Sequence, residues 1–244
     1  MNHWGAWNSV IVVVAACLPA WAAAQPEAGA HRPRVLIIGD SIAGGYFPHV
    51  KGMVFKRMDV TLAAEKSEKE VIMATPVAIK HLDEWLGDTR WDVIHFNFGL
   101  HDLKFINPAN AGQENPNRLP VGQGKPWVPV EQYEENLRTL VQRMKRTGAK
   151  LVWCTTTPVP PGSAGRVAGS EVAYNEAALR VMQAEGVQVN DLHAFIGTGD
   201  RRLANGGRPA DVHYKNGDPG SKSLAREVVR AIDTALQAAA ASSP

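Results

Sequence analysis

The stretch Arg34-Val-Leu-Ile-Ile-Gly-Asp-Ser-Ile-Ala-Gly-Gly45 sets four consecutive apolar residues against a Gly-Asp-Ser turn and a return to helix-compatible residues. A short apolar run bounded by a turn reads as a buried strand, here over 35–38, and the residues after the turn read as a helix. Ser41 therefore stands where a strand ends and a helix begins. Helix N-termini carry unpaired N–H groups and a partial positive charge, so an oxyanion forming beside Ser41 would meet donors already in place. Taken alone, Asp40 and Ser41 are better explained as cap residues, the types preferred at that position. A nucleophilic reading of Ser41 needs a base and an acid further along the chain.

Working outward, hydrophobic spacing predicts a helix over about 45–58, a strand over 60–63 and a helix over 77–86 closed by Gly87. A third strand over 91–98 stops at Gly99, and Leu100-His101-Asp102 comes at once after it. Residues 104–129 are dominated by Asn, Gly, Pro and Gln, with Trp127 near the end, and read as a long loop insertion. A connection of that length is either a lid or substrate loop or a disordered insertion. A helix then carries Tyr133, Leu137, Leu140, Val141 and Met144 on one face and closes at Gly148. A fourth strand spans 150–156. Ser170 is placed to cap a helix running to about Glu185 with Gly186 as its stop, and a fifth strand over 187–190 comes next. After an irregular stretch containing Asp211-Val-His213, a last helix covers about 221–239. Strands alternating with helices at this spacing predict an α/β fold, a five-stranded parallel sheet covered on both faces.

A chain of 244 residues with 45% hydrophobic content can bury one sizeable core, so 34–244 reads as a single domain. The charges nearly cancel, 26 basic against 24 acidic, without a dense basic patch, and nothing in them points to nucleic acid. Residues 1–24 contain no Lys, Arg, Asp or Glu and end in Ala22-Ala23-Ala24, which reads as a signal peptide cleaved before Gln25. It is too short for a stable membrane span, so the mature chain is expected to have none and to be periplasmic or secreted. The rival reading takes Val14-Ala15-Ala16-Cys17 as a lipobox and leaves a lipid anchor on Cys17. Residues 25–33 then form a polar linker. Cleavage after Ala24 leaves only Cys154, in an apolar strand pattern, as a small buried hydrophobe.

Ligands of an open parallel sheet bind beyond the C-terminal ends of its strands, near the point where strand order switches. Ser41, His101, Asp102 and residues 155–157 all come after strand ends and so share that edge. His213, ahead of the last helix, can reach back to take the serine proton, and Asp211 is the nearest acid to orient it. His213 alone would read as a surface histidine. The conjunction with Ser41 makes it a candidate base.

These residues resemble the SGNH or GDSL-type serine hydrolases: Gly39-Asp40-Ser41 after the first strand, Gly99-Leu-His-Asp102 after the third, Asp211-Val-His213 before the last helix. The resemblance spans about 34–239. It implies a three-layer α/β/α sandwich of the flavodoxin-like kind, esterase activity, often carbohydrate deacetylation, and no metal or other cofactor. It makes Ser41 the nucleophile and His213 the base, with Gly39, Asp40, Gly99 and Asp102 in support. The implied substrate is an acylated carbohydrate or small-molecule ester. Three positions depart from the family pattern. His101 stands where an oxyanion-holding Asn is usual, and a ring N–H can donate in its place beside the Ser41 N–H. No Gly occurs between Met53 and Leu86 to serve as the usual second-block donor. The acid usually three residues before the histidine would be Ala210, so either Asp211 acts from a different place or Ser41 and His213 form a dyad.

Phe96, Trp127 and Tyr214 are candidates for apolar walls of a substrate site, Trp127 from the long loop. Two other readings compete. Altered oxyanion donors suit a weakened, glycan-binding envelope protein that keeps the fold. His95, His101, Asp102, Asp191, His193, Asp211 and His213 are numerous enough for a metal-dependent phosphoesterase, though without tight ligand spacing.

Overall fold

In the computed structural model, Met1, residues 31–67, 71–197 and 210–241 are described. The folded unit is Arg32–Pro244; the expected signal peptide, the Cys17 lipobox and most of the 25–33 linker lie outside the described residues.

Five strands form one parallel sheet: β1 (Arg34–Ile38), β2 (Asp59–Leu62), β3 (Val93–Phe96), and, further along the chain, the strands Lys150–Cys154 and Gln188–Asn190. Two short strands intervene in sequence, β4 (Phe105–Ile106) and β5 (Lys125–Pro126), so the last two sheet strands are β6 and β7. The spatial order is β2-β1-β3-β6-β7. Val35, Leu36, Ile37 and Ile38 are all fully buried, as are Val93, Ile94 and Phe96, which explains their unbroken apolar runs: both sheet faces are covered. The chain leaves β1 toward β2 and returns to β3 on its other side, so the switch in strand order lies between β1 and β3.

Helices α1 (Ser41–Val54) and α6 (Ser221–Ala241) pack against one another, while α2 (Thr75–Leu86), α3 (Val130–Lys145) and α4 (Glu171–Glu185) form the other layer; α5 (Leu192–Ile196) is a single turn after β7. The three-layer α/β/α sandwich is thus the observed fold. Helix α1 starts four residues before its expected beginning because Asp40 accepts from the Ile42 N–H at 2.9 Å and opens the helix at once. It carries Gly44, Gly45 and Pro48, weak helix formers, and is held by the burial of Tyr46, Phe47, Val50 and Val54. Ser170 does not cap α4: its backbone is already helical and its hydroxyl makes no cap bond.

The 104–129 connection is ordered structure rather than a bare loop. β4 and β5 pair antiparallel, Ile106 also bridges to Arg118, and Phe105 N–H donates to Gly165 O at 2.7 Å. Trp127 is buried, its indole N–H donating to Ala111 O at 3.0 Å and its ring lying under Lys104 Nζ at 4.6 Å. It locks this segment from within, so the expectation of Trp127 as a substrate-facing wall is corrected. Phe96 likewise belongs to the core, and Tyr214 packs half-buried against it. Among the described residues no helix is long and apolar enough to cross a membrane.

Candidate active site

Asp40 supplies the cap, and that frees Ser41. Standing at the first position of α1, Ser41 has a backbone N–H with no hydrogen-bond partner among the described residues, as expected for the first turn of a helix. Its Oγ lies 2.8 Å from His213 Nε2. On the far side of the ring, Nδ1 lies 2.6 Å from Asp211 Oδ1, and the same oxygen accepts the His213 backbone N–H at 3.0 Å. One carboxylate oxygen thus closes an Asx-type turn and orients the imidazole together. With the proton held on Nδ1 by that carboxylate, Nε2 is left as the acceptor for the Ser41 hydroxyl. The acid sits two residues before the histidine because this local turn brings it there; no residue at position 210 is needed. The spatial arrangement is therefore Ser41–His213–Asp211 and not a dyad.

The other end of the site is built from the segment after β3. Gly99 has φ +151°, and a Cβ there would fall 2.1 Å from Thr156 Oγ1, so the chain passes the segment just after β6 at a distance only glycine allows. Phe98 O accepts from Tyr133 Oη at 2.7 Å and from Thr156 Oγ1 at 2.9 Å, which fixes the segment leading into His101. Burial first, then the charges of Lys104, Arg166 and His213, push the His101 imidazole down to about 3, so the ring is neutral at ordinary pH. Its buried Nδ1 has no hydrogen-bond partner among the described residues. A neutral imidazole with an uncommitted nitrogen can donate one N–H to an anion.

Asp102 is fully buried and faces the start of α2: its Oδ1 accepts from Thr75 N at 2.8 Å and Thr75 Oγ1 at 2.6 Å, and Asn136 Nδ2 donates to that hydroxyl at 3.0 Å. Desolvation raises Asp102 to about 7. Asp102 therefore ties the segment after β3 to the start of α2. Asp40, buried beside Ser41, is raised by desolvation and drawn back by the Ile42 N–H and the charges of Arg166 and His213. Gly39 makes the turn out of β1.

Sequence reasoning missed Arg166, which donates from Nε to Leu100 O at 2.7 Å and braces the residue preceding His101. It also missed Thr75 and Asn136. A single arginine in a Gly/Ala/Ser loop and a threonine at a helix start carry no recognisable pattern; only their contacts give them a place.

The ligands considered for a metal are spread over separate partners. His95 faces Asn190 in the core, Asp191 caps α5 and accepts from Thr155, and His193 meets Glu171. Among the described residues no three His, Cys, Asp or Glu side chains form a group that could hold a metal ion. Cys154 is buried and its thiol pushed up by desolvation, which makes it an inert packing residue.

A family model described as GDSL-like lipase/acylhydrolase matches residues 37–216, most of the chain and all of the triad. The chain belongs to the GDSL-like lipase/acylhydrolase family. It is therefore an ester-hydrolysing enzyme of the SGNH/GDSL type. Similar solved structures include a lipase/acylhydrolase from Enterococcus faecalis, with 18% identity, 83% of this chain and 96% of that one covered, and a TM-score of 0.57. The acetyl xylan esterase AlAXEase matches with 12% identity, 82% and 99% coverage, and a TM-score of 0.56. A mutant of an acetyl-xylooligosaccharide esterase from Geobacillus stearmophilus matches with 16% identity, 82% and 94% coverage, and a TM-score of 0.58. At these identities the likeness is one of GDSL-family fold. No curated protein matches the chain.

Proposed function

We propose that this protein is an exported serine esterase that removes short acyl groups, acetyl-like in size, from a carbohydrate through an acyl-enzyme. The observation that carries the mechanism is the 2.8 Å contact of Ser41 Oγ with His213 Nε2, backed at 2.6 Å by Asp211. In this reading Ser41 attacks the ester carbonyl as His213 takes its proton, and Asp211 stabilises the resulting imidazolium. The Ser41 N–H and a ring N–H of His101 donate to the oxyanion. His213 then protonates the departing sugar oxygen, and a water deprotonated by the same histidine attacks the acyl-enzyme, releasing the acid as His213 returns the proton to Ser41. A carbohydrate substrate is supported by the names of two similar structures, the acetyl xylan and acetyl-xylooligosaccharide esterases.

A short-chain aryl ester should be hydrolysed by the protein and not by Ser41→Ala, and a fluorophosphonate should label Ser41. Full turnover by a folded Ser41→Ala variant would sink the mechanism, and rapid labelling would remove the reading as a purely glycan-binding protein. Export rests on the charge-free, apolar residues 1–24 ending in Ala-Ala-Ala. N-terminal sequencing of the mature protein should begin at Gln25; a lipidated start at Cys17 would make it membrane-anchored instead.

A further inference from the structure

Beside the triad lies a cleft of about 670 Å³ walled by two loops, residues 118–121 of the long connection and residues 162–168 after β6. Its size falls within the range of roughly 300–1,000 Å³ common to small-ligand sites. The loops hold one another closely: Phe105 N–H bonds Gly165 O, and a Cβ at Gly165 would fall 2.2 Å from Arg118 Cγ, so the Arg118 side chain runs directly across that glycine. The cleft also adjoins the triad. Its Arg166 braces Leu100, next to His101, and a Cβ added at Gly162 in its wall would lie 3.4 Å from the Cβ of Ala210, next to Asp211.

The lining of this cleft is one-sided in charge. Arg118 and Arg166 are both in its wall, and no carboxylate is among the described residues that line it. The Arg118 guanidinium makes no hydrogen bond or ion pair with any described residue, and Arg166 spends Nε and Nη1 on the carbonyls of Leu100 and Ala164, leaving Nη2 uncommitted. Arginines elsewhere on the surface behave differently: Arg57 in the turn after α1, and Arg143, Arg180 and Arg226 on helices, each meet an Asp or Glu. Buried Lys104 feels the crowding: desolvation and the charges of Arg166 and Arg118 push it down to about 8. An anionic ligand would relieve that repulsion, and guanidinium groups suit carboxylates in particular because they can donate two parallel bonds.

We propose that this cleft binds the sugar chain flanking the acylated unit and that Arg118 and Arg166 select chains bearing carboxylates, making the preferred substrate an acylated, uronate-containing oligosaccharide. This rests on the esterase reading for the acyl chemistry, and the test separates the two. Binding is measured by calorimetry on Ser41→Ala protein, where turnover plays no part, with tetragalacturonate, neutral xylotetraose and a short polyglutamate peptide. Tetragalacturonate should bind at least about tenfold more tightly than either of the others and weaken as salt is raised. Arg118→Gln should weaken tetragalacturonate binding by about tenfold, the size expected for loss of a charged hydrogen bond, while Arg118→Lys, which keeps the charge and loses the two-bond fork, should fall between the two. Circular dichroism and thermal melting confirm that the variants are folded. Equal affinity for the acidic and neutral sugars, no measurable binding of tetragalacturonate, or indifference to Arg118→Gln in a folded protein would overturn the proposal. Polyglutamate binding as tightly as tetragalacturonate would overturn its saccharide part. Loss of the esterase reading would instead show as an absence of Ser41-dependent aryl-ester hydrolysis by the unmutated protein.

Discussion

His213 and His101 stand at the same sheet edge and are treated in opposite ways. His213 has a side chain 45% exposed, and both of its ring nitrogens are engaged, one by Ser41 and one by Asp211. His101 is largely sunk in the protein, close to the charges of Lys104 and Arg166, and its buried Nδ1 has no partner among the described residues. A base must cycle between neutral and charged forms, so access to water and a carboxylate partner serve it. A donor to an oxyanion needs only a fixed N–H, and burial that keeps the ring neutral does not impede it. One residue type thus fits two tasks because the surroundings decide which form it takes.

The contrast can be broken most sharply at His213. His213→Ala should lower kcat/KM for an aryl acetate by on the order of 10⁴-fold or more with the fold intact. A loss of less than about tenfold would mean that another group takes the Ser41 proton. Asp211→Asn comes next. The amide oxygen can still accept the backbone N–H of His213, but it cannot stabilise the imidazolium, so kcat should fall about 10²- to 10⁴-fold with little change in KM. If the rate barely moves, the contact is a turn and nothing more.

On the His101 side a smaller effect is expected. His101→Ala should lower kcat by about 10²- to 10³-fold, the loss seen when one oxyanion donor is removed, whereas His101→Asn should stay within about tenfold because an amide also donates while neutral. Equal losses in the two variants would assign His101 a packing role instead.

The last difference concerns stability. His101 is depressed to about 3 in the folded state against an ordinary value of 6.5. The unfolded chain therefore takes up the proton first. The contribution of His101 is complete above about pH 6.5 and is lost as pH falls toward 3, with a slope of at most about 1.4 kcal/mol per pH unit. Asp102, raised to about 7 from 3.8, works in the other sense: its contribution is complete below about pH 4 and is lost as pH rises to 7. Urea unfolding of the parent and of His101→Asn between pH 7 and 4 isolates the histidine. The variant should lose less stability on acidification; parallel curves would show that His101 is not held neutral by the fold.

The layout of strands and helices was legible in the chain because both faces of a parallel sheet are covered, which forces unbroken apolar runs such as 35–38 and 93–94, while Gly87 and Gly186 mark helix ends by backbone geometry. The long 104–129 connection was not legible as ordered structure. Its hairpin is only two residues per strand, and it is held by long-range bonds to Gly165 and by a buried Trp127 that no local pattern reveals.

The same division runs through the site. Sequence alone determined that Ser41 sits between a strand and a helix, and that His101, Asp102, Asp211 and His213 fall at strand ends or before the last helix, because a regular α/β alternation dictates which edge each residue meets. Tertiary structure alone decided that Asp211 reaches His213 through its own turn, that Asp102 spends its carboxylate on Thr75, and that Arg118 and Arg166 stand together beside the triad. Those outcomes depend on distances of a few ångströms between loops far apart in the chain. Such distances are set by packing, and no spacing along the sequence encodes them.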